Sequence, residues 1–219
     1  MGKVVGILPA SGSASRMMGL PKFLLPVNEN KNILEWHIDL MSECCDVIRI
    51  STQKKWMPIL TDIAKKSNIE LFEIEASTMP DAVNKMILNI DDRHIIGMPD
   101  IYVKNLDTNF YTKMSECTED FGLALFDYYK NLSGMVGQVL LDDNDNVIDL
   151  VDKDISCMYN YMWGAITIKN ISVENQNNHF GIQIKNMIKQ NKIIKGIKIK
   201  GQYIDAGTFN GLQILYKGE

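Results

Sequence analysis

Apolar, β-branched runs alternate with helically spaced segments through the first hundred residues, and that alternation leaves few architectures open. Val4 to Leu8 is a continuous apolar run, as expected of a strand covered on both faces. Ser11 to Pro21 is rich in Gly, Ser and Ala and makes no strong element. Asn32 to Cys44 has helical spacing, with Ile33, His37, Leu40 and Cys44 on one face. Val47 to Ser51 reads as the next strand, about Trp56 to Lys66 as a helix, and Ile69 to Ile74 as a strand. Asp81 to Ile90 then reads as a helix and His94 to Met98 as a strand. Strand and helix in strict turn imply right-handed crossovers and a mostly parallel sheet with helices on both faces. In such sheets ligands sit beyond the carboxyl ends of the strands.

The second half changes character. Phe121 to Phe126, Met135 to Leu141, Val147 to Val151 and Met162 to Ile168 read as strands with few helices between them. Asp142 to Asn146 is a strong hairpin turn. Its acidic run lacks the glycine and distal glutamate of a calcium-binding EF-hand, which favours a solvated turn. A helix near Phe180 to Gln190, basic strands from Ile193 to Ile204 and a short helix after Gly207 complete the chain. With no internal repeat, low-complexity tract or linker, residues 1–219 read as a single α/β domain.

Hydrophobic residues make up 46% and charged residues 23%, a globular balance rather than a disordered one. The formal net charge of -4 is spread along the chain, which argues against nucleic acid or anionic lipid as a partner. Any anionic ligand must therefore be caught by local cations. Cys44, Cys45, Cys117 and Cys157 have neither zinc-like nor redox spacing and read as reduced thiols. MGKVVGILPA reads as a first strand rather than a signal peptide, and no apolar run is long enough to span a membrane. A cytoplasmic setting is expected.

The loop after the first strand runs Pro9-Ala10-Ser11-Gly12-Ser13-Ala14-Ser15-Arg16, and Leu20-Pro21-Lys22-Phe23-Leu24-Leu25-Pro26-Val27 follows. Small residues let a backbone come close to phosphates, whose oxygens its N–H groups can bind. The chain has no G-x-x-x-x-G-K-[ST] P-loop and no G-x-G-x-x-G dinucleotide fingerprint. The two segments together resemble the signature of nucleotidyltransferases acting on sugar phosphates, A-A-G-x-G-[ST]-R followed by P-K-x-L-[LV]-P-[VI]. In overall form the chain is similar to a short glucose-1-phosphate thymidylyltransferase or uridylyltransferase. That resemblance implies a three-layer, Rossmann-like (GT-A-like) fold around a mostly parallel mixed sheet. It implies that Ala10, Ser11, Gly12 and Ser13 hold the nucleotide, that Arg16 faces the leaving pyrophosphate, and that Lys22 bridges to the α-phosphate. Ala14 replaces a loop glycine of the signature.

Two aspartates follow at strand ends. Asp100 closes His94-Ile95-Ile96-Gly97-Met98-Pro99-Asp100, and Asp205 opens Asp205-Ala206-Gly207-Thr208. Magnesium prefers oxygen ligands, keeps several waters, and is commonly held by one or two carboxylates plus substrate phosphates. The resemblance carries both aspartates over as metal ligands, with Mg2+ as the cofactor. Met98-Pro99 departs from the small residues that often precede the first of them.

The same resemblance gives Met79, Pro80 and Asp81 base and ribose contacts, although Pro80-Asp81 is also a good helix start. Asp152 and Lys153 stand where the family has V-x-E-K-P, with Asp154 in place of the proline. They are expected to meet the sugar and its phosphate, and Gly137 and Gly164 to lie against the sugar. Trp163 reads equally as a sugar-pocket residue and as core. His37, His94 and His179 are isolated from one another and read as structural or exposed.

The implied reaction joins an NTP to a sugar 1-phosphate and releases pyrophosphate, and homo-oligomerisation stays open. Three rivals remain: a cytidylyltransferase acting on an alcohol phosphate, a non-catalytic nucleotide-sugar sensor, and a related glycosyltransferase. The last usually needs D-x-D, and Asp100-Ile101-Tyr102 lacks its second aspartate.

Overall fold

The computed structural model describes residues 2–12, 19–65, 68–129, 132, 134–171 and 179–217. The elements are, in order, β1 (Val4–Pro9), β2 (Pro26–Asn28), β3 (Lys31–Asn32), α1 (Ile33–Ser42), β4 (Val47–Thr52), α2 (Met57–Ile63), β5 (Ile69–Glu73), α3 (Met79–Met86), β6 (Arg93–Gly97) and β7 (Ile101–Lys104). Then come α4 (Phe110–Ser115), β8 (Phe121–Asp127), β9 (Gly137–Leu141), β10 (Val147–Asp152), β11 (Tyr161–Ile168), α5 (Phe180–Lys189), β12 (Lys195–Lys198), β13 (Gln202–Asp205) and α6 (Phe209–Lys217).

Among the described residues, nine strands form one mixed sheet. Its main path runs β10-β9-β11-β6-β1-β4-β5, and β8 pairs with both β11 and β12. The half built from β5, β4, β1 and β6 is parallel, as the alternation of strand and helix requires. β11 runs antiparallel to β6 and joins that half to the hairpin-rich remainder.

Side-chain alternation along β1 and β4 puts helices on opposite faces. A Cβ at Gly6 would meet Met41 of α1, Cys45 and Ile48, so this face of the sheet belongs to α1. Arg49, one residue on and pointing the other way, donates from Nη1 to the Met86 carbonyl at the end of α3 (2.8 Å). α3 therefore covers the second face, and the layers are helix, sheet and helix.

α1 starts where its sequence says. Asn32 accepts from the Glu35 N–H and Glu35 accepts from the Asn32 N–H, a reciprocal cap that satisfies two otherwise orphaned donors. Its buried residues are Ile33, Leu34, His37, Ile38 and Met41. Leu40 and Cys44, expected on the same face as Ile33 and His37, are only half-buried. The 3.6-residue repeat carries the buried stripe through 34, 38 and 41 instead.

The other departures are short elements. α2 stops at Ile63, α3 begins two residues earlier and ends four residues earlier than expected, and the small β2–β3 hairpin, β7 and α4 have no counterpart in the sequence reading. In the Asp142–Asn146 turn the Asp142 carboxylate accepts from the Asn144 and Asn146 backbone and the Asn146 amide. No described helix is long and apolar enough to cross a membrane.

Candidate active site

The P-K-F-L-L-P-V segment is anchored on both sides of its lysine. Phe23 enters the main core, while Leu25 and Val27 pack on a second cluster of Ile33, Ile204, Ala206 and Leu215. Lys22 opens a three-residue 3-10 turn, Lys22–Leu24, between those anchors. Its Nζ lies 3.6 Å from Asp100 Oδ2, and the lysine side chain is only 15% exposed.

The two aspartates meet through a ladder that sequence patterning did not reveal. β7 and β13 pair antiparallel with Asp205 opposite Ile101, and the Ala206 N–H donates to the Asp100 carbonyl (2.9 Å). Asp205 Oδ1 then accepts from the Gly207 N–H (2.7 Å). A Cβ at Gly207 would fall 2.6 Å from Lys22 Nζ, 2.7 Å from Asp205 Oδ1 and 3.3 Å from Asp100 Oδ2. One ammonium and two carboxylates thus crowd the bare face of a single glycine.

Beneath this centre His37 is fully buried. Its Nε2 lies 3.0 Å from the Ile101 carbonyl, so that nitrogen carries the proton, and Nδ1 accepts from the Tyr111 hydroxyl (2.6 Å). Desolvation holds the imidazole pKa down to about 4. His37 is a neutral clamp on the chain just after Asp100, in keeping with the structural role expected of it.

Two cavities open on either side of Asp100 and Met79, which line both. One, of about 370 Å³, is bounded by Ala10, Ser11, Gly12, Lys22, Gln53 and Thr78, among others. Ser11 is fixed there by Gln53 Nε2, which donates to its carbonyl (2.9 Å), and by the Ser51 hydroxyl (3.2 Å). The surface at Gly12 is open, since a Cβ there would touch nothing within 4 Å. The second cavity, of about 180 Å³, is bounded by Pro80, Gly137, Asp152, Lys153, Trp163 and Asp205, among others.

Most of the expected site residues therefore come together, with four kinds of exception. Pro80, expected beside Met79 at the base and ribose, lines only the smaller cavity with Gly137, Asp152 and Lys153. Asp81 lines neither cavity: it sits in the first turn of α3, where its carboxylate accepts from Ser77 N and pairs with Lys85. Gly164 faces the rings of Phe126 and Tyr203, not the second cavity. Ser13 and Arg16 lie outside the described residues. Lys153 reaches its place in a left-handed backbone conformation (φ 55°), held by its N–H to the Val136 carbonyl (3.2 Å).

A larger cavity of about 700 Å³ lies between Thr118–Phe121, Ile168 and α5. Ile168 pairs with His94 near the amino end of β6, so this cavity is at the far edge of the sheet from Asp100.

The donor set at Gly207 suits a hard divalent cation. Two carboxylates lie no more than about 6 Å apart across a cradle that a Cβ would fill. Such a pair leaves the remaining positions to waters and phosphates, the way magnesium is usually bound. Among the described residues no cluster of three or more His, Cys, Asp or Glu side chains gathers to form a closed cage.

Solved structures share this architecture over the whole chain. A UDP-glucose pyrophosphorylase complexed with UDP-glucose matches at a TM-score of 0.79 and 15% identity, covering 100% of both chains. A Bacillus anthracis protein assigned as a glucose-1-phosphate thymidylyltransferase, in complex with sucrose, matches at 0.82 and 16%, covering 98% of this chain and 94% of its own. The fold is the nucleotidyltransferase fold. A UDP-glucose pyrophosphorylase from Acinetobacter baumanii matches at 0.74 and 16%, covering 98% and 92%. No protein-family model and no curated protein matches the sequence.

On this nucleotidyltransferase fold several cavity residues were not among the expected site residues, including His179, which was read as structural or exposed. Gln53 and Trp56 line the larger of the two site cavities, and His179, Phe180 and Gly181 line the smaller. The signal for Gln53 and Trp56 is position: they follow the carboxyl end of parallel strand β4, where ligand-binding loops collect. Residues 179–181 enter at the start of α5, which packs beside β10 and so reaches Asp152.

Proposed function

We propose that this protein is a sugar-phosphate nucleotidyltransferase, joining an NTP to a sugar 1-phosphate and releasing pyrophosphate. The observation that carries the reading is the meeting of Lys22, Asp100 and Asp205 around Gly207, between two cavities. A transfer between two polyanions needs such a charged centre with a binding space on each side.

The nucleotide occupies the cavity beside Ala10, Ser11 and Gly12, where backbone can approach phosphate oxygens. Met79 and Pro80 border the bound substrates, and the acceptor lies against Gly137, Asp152 and Lys153. The nucleophile is a phosphate oxygen, already ionised near neutral pH, so no general base is required. Lys22 holds charge at the α-phosphate, and Arg16 meets the departing pyrophosphate. Lys153 offsets the charge of the acceptor phosphate as it closes on the centre. Asp100 and Asp205 would hold Mg2+, which supplies positive charge to the phosphate oxygens when bound. Positioning and fixed cationic charge are the main sources of rate in transfers of this kind.

The reading places residues 1–219 in one catalytic domain and the reaction in the cytoplasm. The cysteines, all free thiols, fit that setting. It is tested by a magnesium-dependent pyrophosphate-release screen of the common NTPs against a panel of sugar 1-phosphates and other phosphate acceptors. Release with a sugar 1-phosphate supports it. Release only with alcohol phosphates moves the acceptor, and no release with any pair puts a nucleotide-sugar sensor in its place.

A further inference from the structure

Gly137 sits in a row of three strands. In the β10–β9 ladder Asp152 is its partner, and the β11–β9 register of Tyr161 with Val139 and Met162 with Gln138 brings Trp163 to its other side. Cross-strand neighbours on one row project from the same face, so the two side chains flank a residue that has none. The β11–β8 register also shifts between Trp163 and Ala165, a bulge of the kind that re-aims a neighbouring side chain.

Trp163 leans over the gap. Its Nε1 takes the place a Cβ of Gly137 would need, and Asp152 Oδ1 is 3.2 Å from that same point. The indole N–H and the carboxylate are therefore no more than about 5.5 Å apart, within the span that one hydroxyl bonded to both can bridge. They are not bonded to each other. Trp163 Nε1 is one of three buried side-chain polar atoms without a hydrogen-bond partner among the described residues, with His94 Nε2 and Tyr128 Oη. Of the three residues, only Trp163 lines a cavity beside Asp100 and Asp205.

We propose that Trp163 is a specificity-determining residue of the acceptor cavity. Its N–H donates to one ring hydroxyl of a hexose 1-phosphate, and the same hydroxyl donates to Asp152. A hydroxyl is the group that can accept from the indole and give its own proton to a carboxylate across that gap. An acceptor lacking a hydroxyl there leaves both protein groups unpaired, the situation in which polar sites discriminate most sharply. The identification of the acceptor rests on the nucleotidyltransferase reading, whereas the contact itself can be measured without turnover.

The test uses Trp163→Phe, which keeps an aromatic ring and removes the N–H, with glucose 1-phosphate and its monodeoxy analogues as probes. In turnover, the variant is expected to raise the acceptor KM about tenfold, with the NTP KM unchanged and kcat altered by less than about twofold. One monodeoxy analogue is expected to lose about tenfold in kcat/KM with the native protein and nothing further with the variant. Asp152→Asn should weaken discrimination at the same carbon. Calorimetric titration with the sugar phosphates alone reads the contact again, with about tenfold weaker binding to Trp163→Phe. Native binding and discrimination without pyrophosphate release would remove the reaction and leave this contact standing. Equal discrimination by native protein and variant, or no binding of any hydroxylated sugar phosphate, would overturn it.

Discussion

Replacing Gly207 by alanine puts one methyl group where three charged side chains converge. Gly207 is not in the left-handed region, so alanine meets no backbone penalty there. The conflict is in space: the new carbon would lie 2.6 Å from Lys22 Nζ and 2.7 Å from Asp205 Oδ1. Ordinary contact is about 3.5 Å, so the ammonium must retreat by roughly 1 Å. Asp205 Oδ1 has less freedom, because it is also the acceptor for the Gly207 N–H. For stability, disturbing that bond costs about 1 kcal/mol, and the stiffer unfolded chain returns about 0.4–1 kcal/mol. The two nearly cancel, and the melting temperature should stay within a few degrees of native. Activity responds differently, since a misplacement of about 1 Å at a reacting centre costs about a hundredfold. That loss corresponds to about 2.7 kcal/mol in the barrier. The assay is kcat/KM for pyrophosphate release beside a thermal melt. A folded Gly207→Ala variant retaining more than about a third of native kcat/KM would refute the placement of the reaction at this glycine.

Lys22→Ala or Asp205→Ala should lower turnover by at least about a hundredfold, the scale of losing a key electrostatic group, and near-native turnover in either would count against the mechanism. Lys153 holds a left-handed conformation that glycine adopts more easily, so Lys153→Gly should be about 1 kcal/mol more stable than Lys153→Ala in urea unfolding. Both variants should lose acceptor affinity alike; equal stabilities would show that the backbone there carries no strain. Acid should unfold the protein early. His37 and His94 have pKa values lowered to about 4, mainly by desolvation, while the unfolded chain takes up its protons near 6.5. Between those values the unfolded state binds more protons, so stability falls as pH drops, by at most about 1.4 kcal/mol per unit for each histidine. A urea midpoint that does not move between pH 7 and 4.5 would contradict this.

The parallel half of the sheet was legible because its strands are short runs rich in Ile, Val and Leu, each ending at a turn or cap. The pieces that escaped are those whose signal is diluted by length or by polarity. β7 is the four-residue Ile-Tyr-Val-Lys, alternately buried and half-buried, and α4 has six residues. Missing β7 hid the reason Asp100 and Asp205 meet, although both aspartates stood out in the sequence. Asp81 shows the converse. Its position after Thr78 and Pro80 satisfies a helix start, and the capping job accounts for it. Gly164 falls in an apolar strand like Gly137, yet one glycine faces two core rings and the other faces Trp163 and Asp152. Only the packing of neighbouring strands separates them.

The β7–β13 ladder also keeps Asp205 out of the large sheet. Every strand of the nine-stranded sheet lies before Gln202, and β13 belongs to a separate two-stranded pair. No strand of the large sheet reaches beyond Lys198, whereas Asp205 closes β13. Closing β13 on β7 joins residues 98 to 104 positions apart, the kind of long-range contact that forms slowly. Asp205 comes beside Asp100 and Lys22 only through that closure, so the carboxylate pair depends on a ladder outside the large sheet.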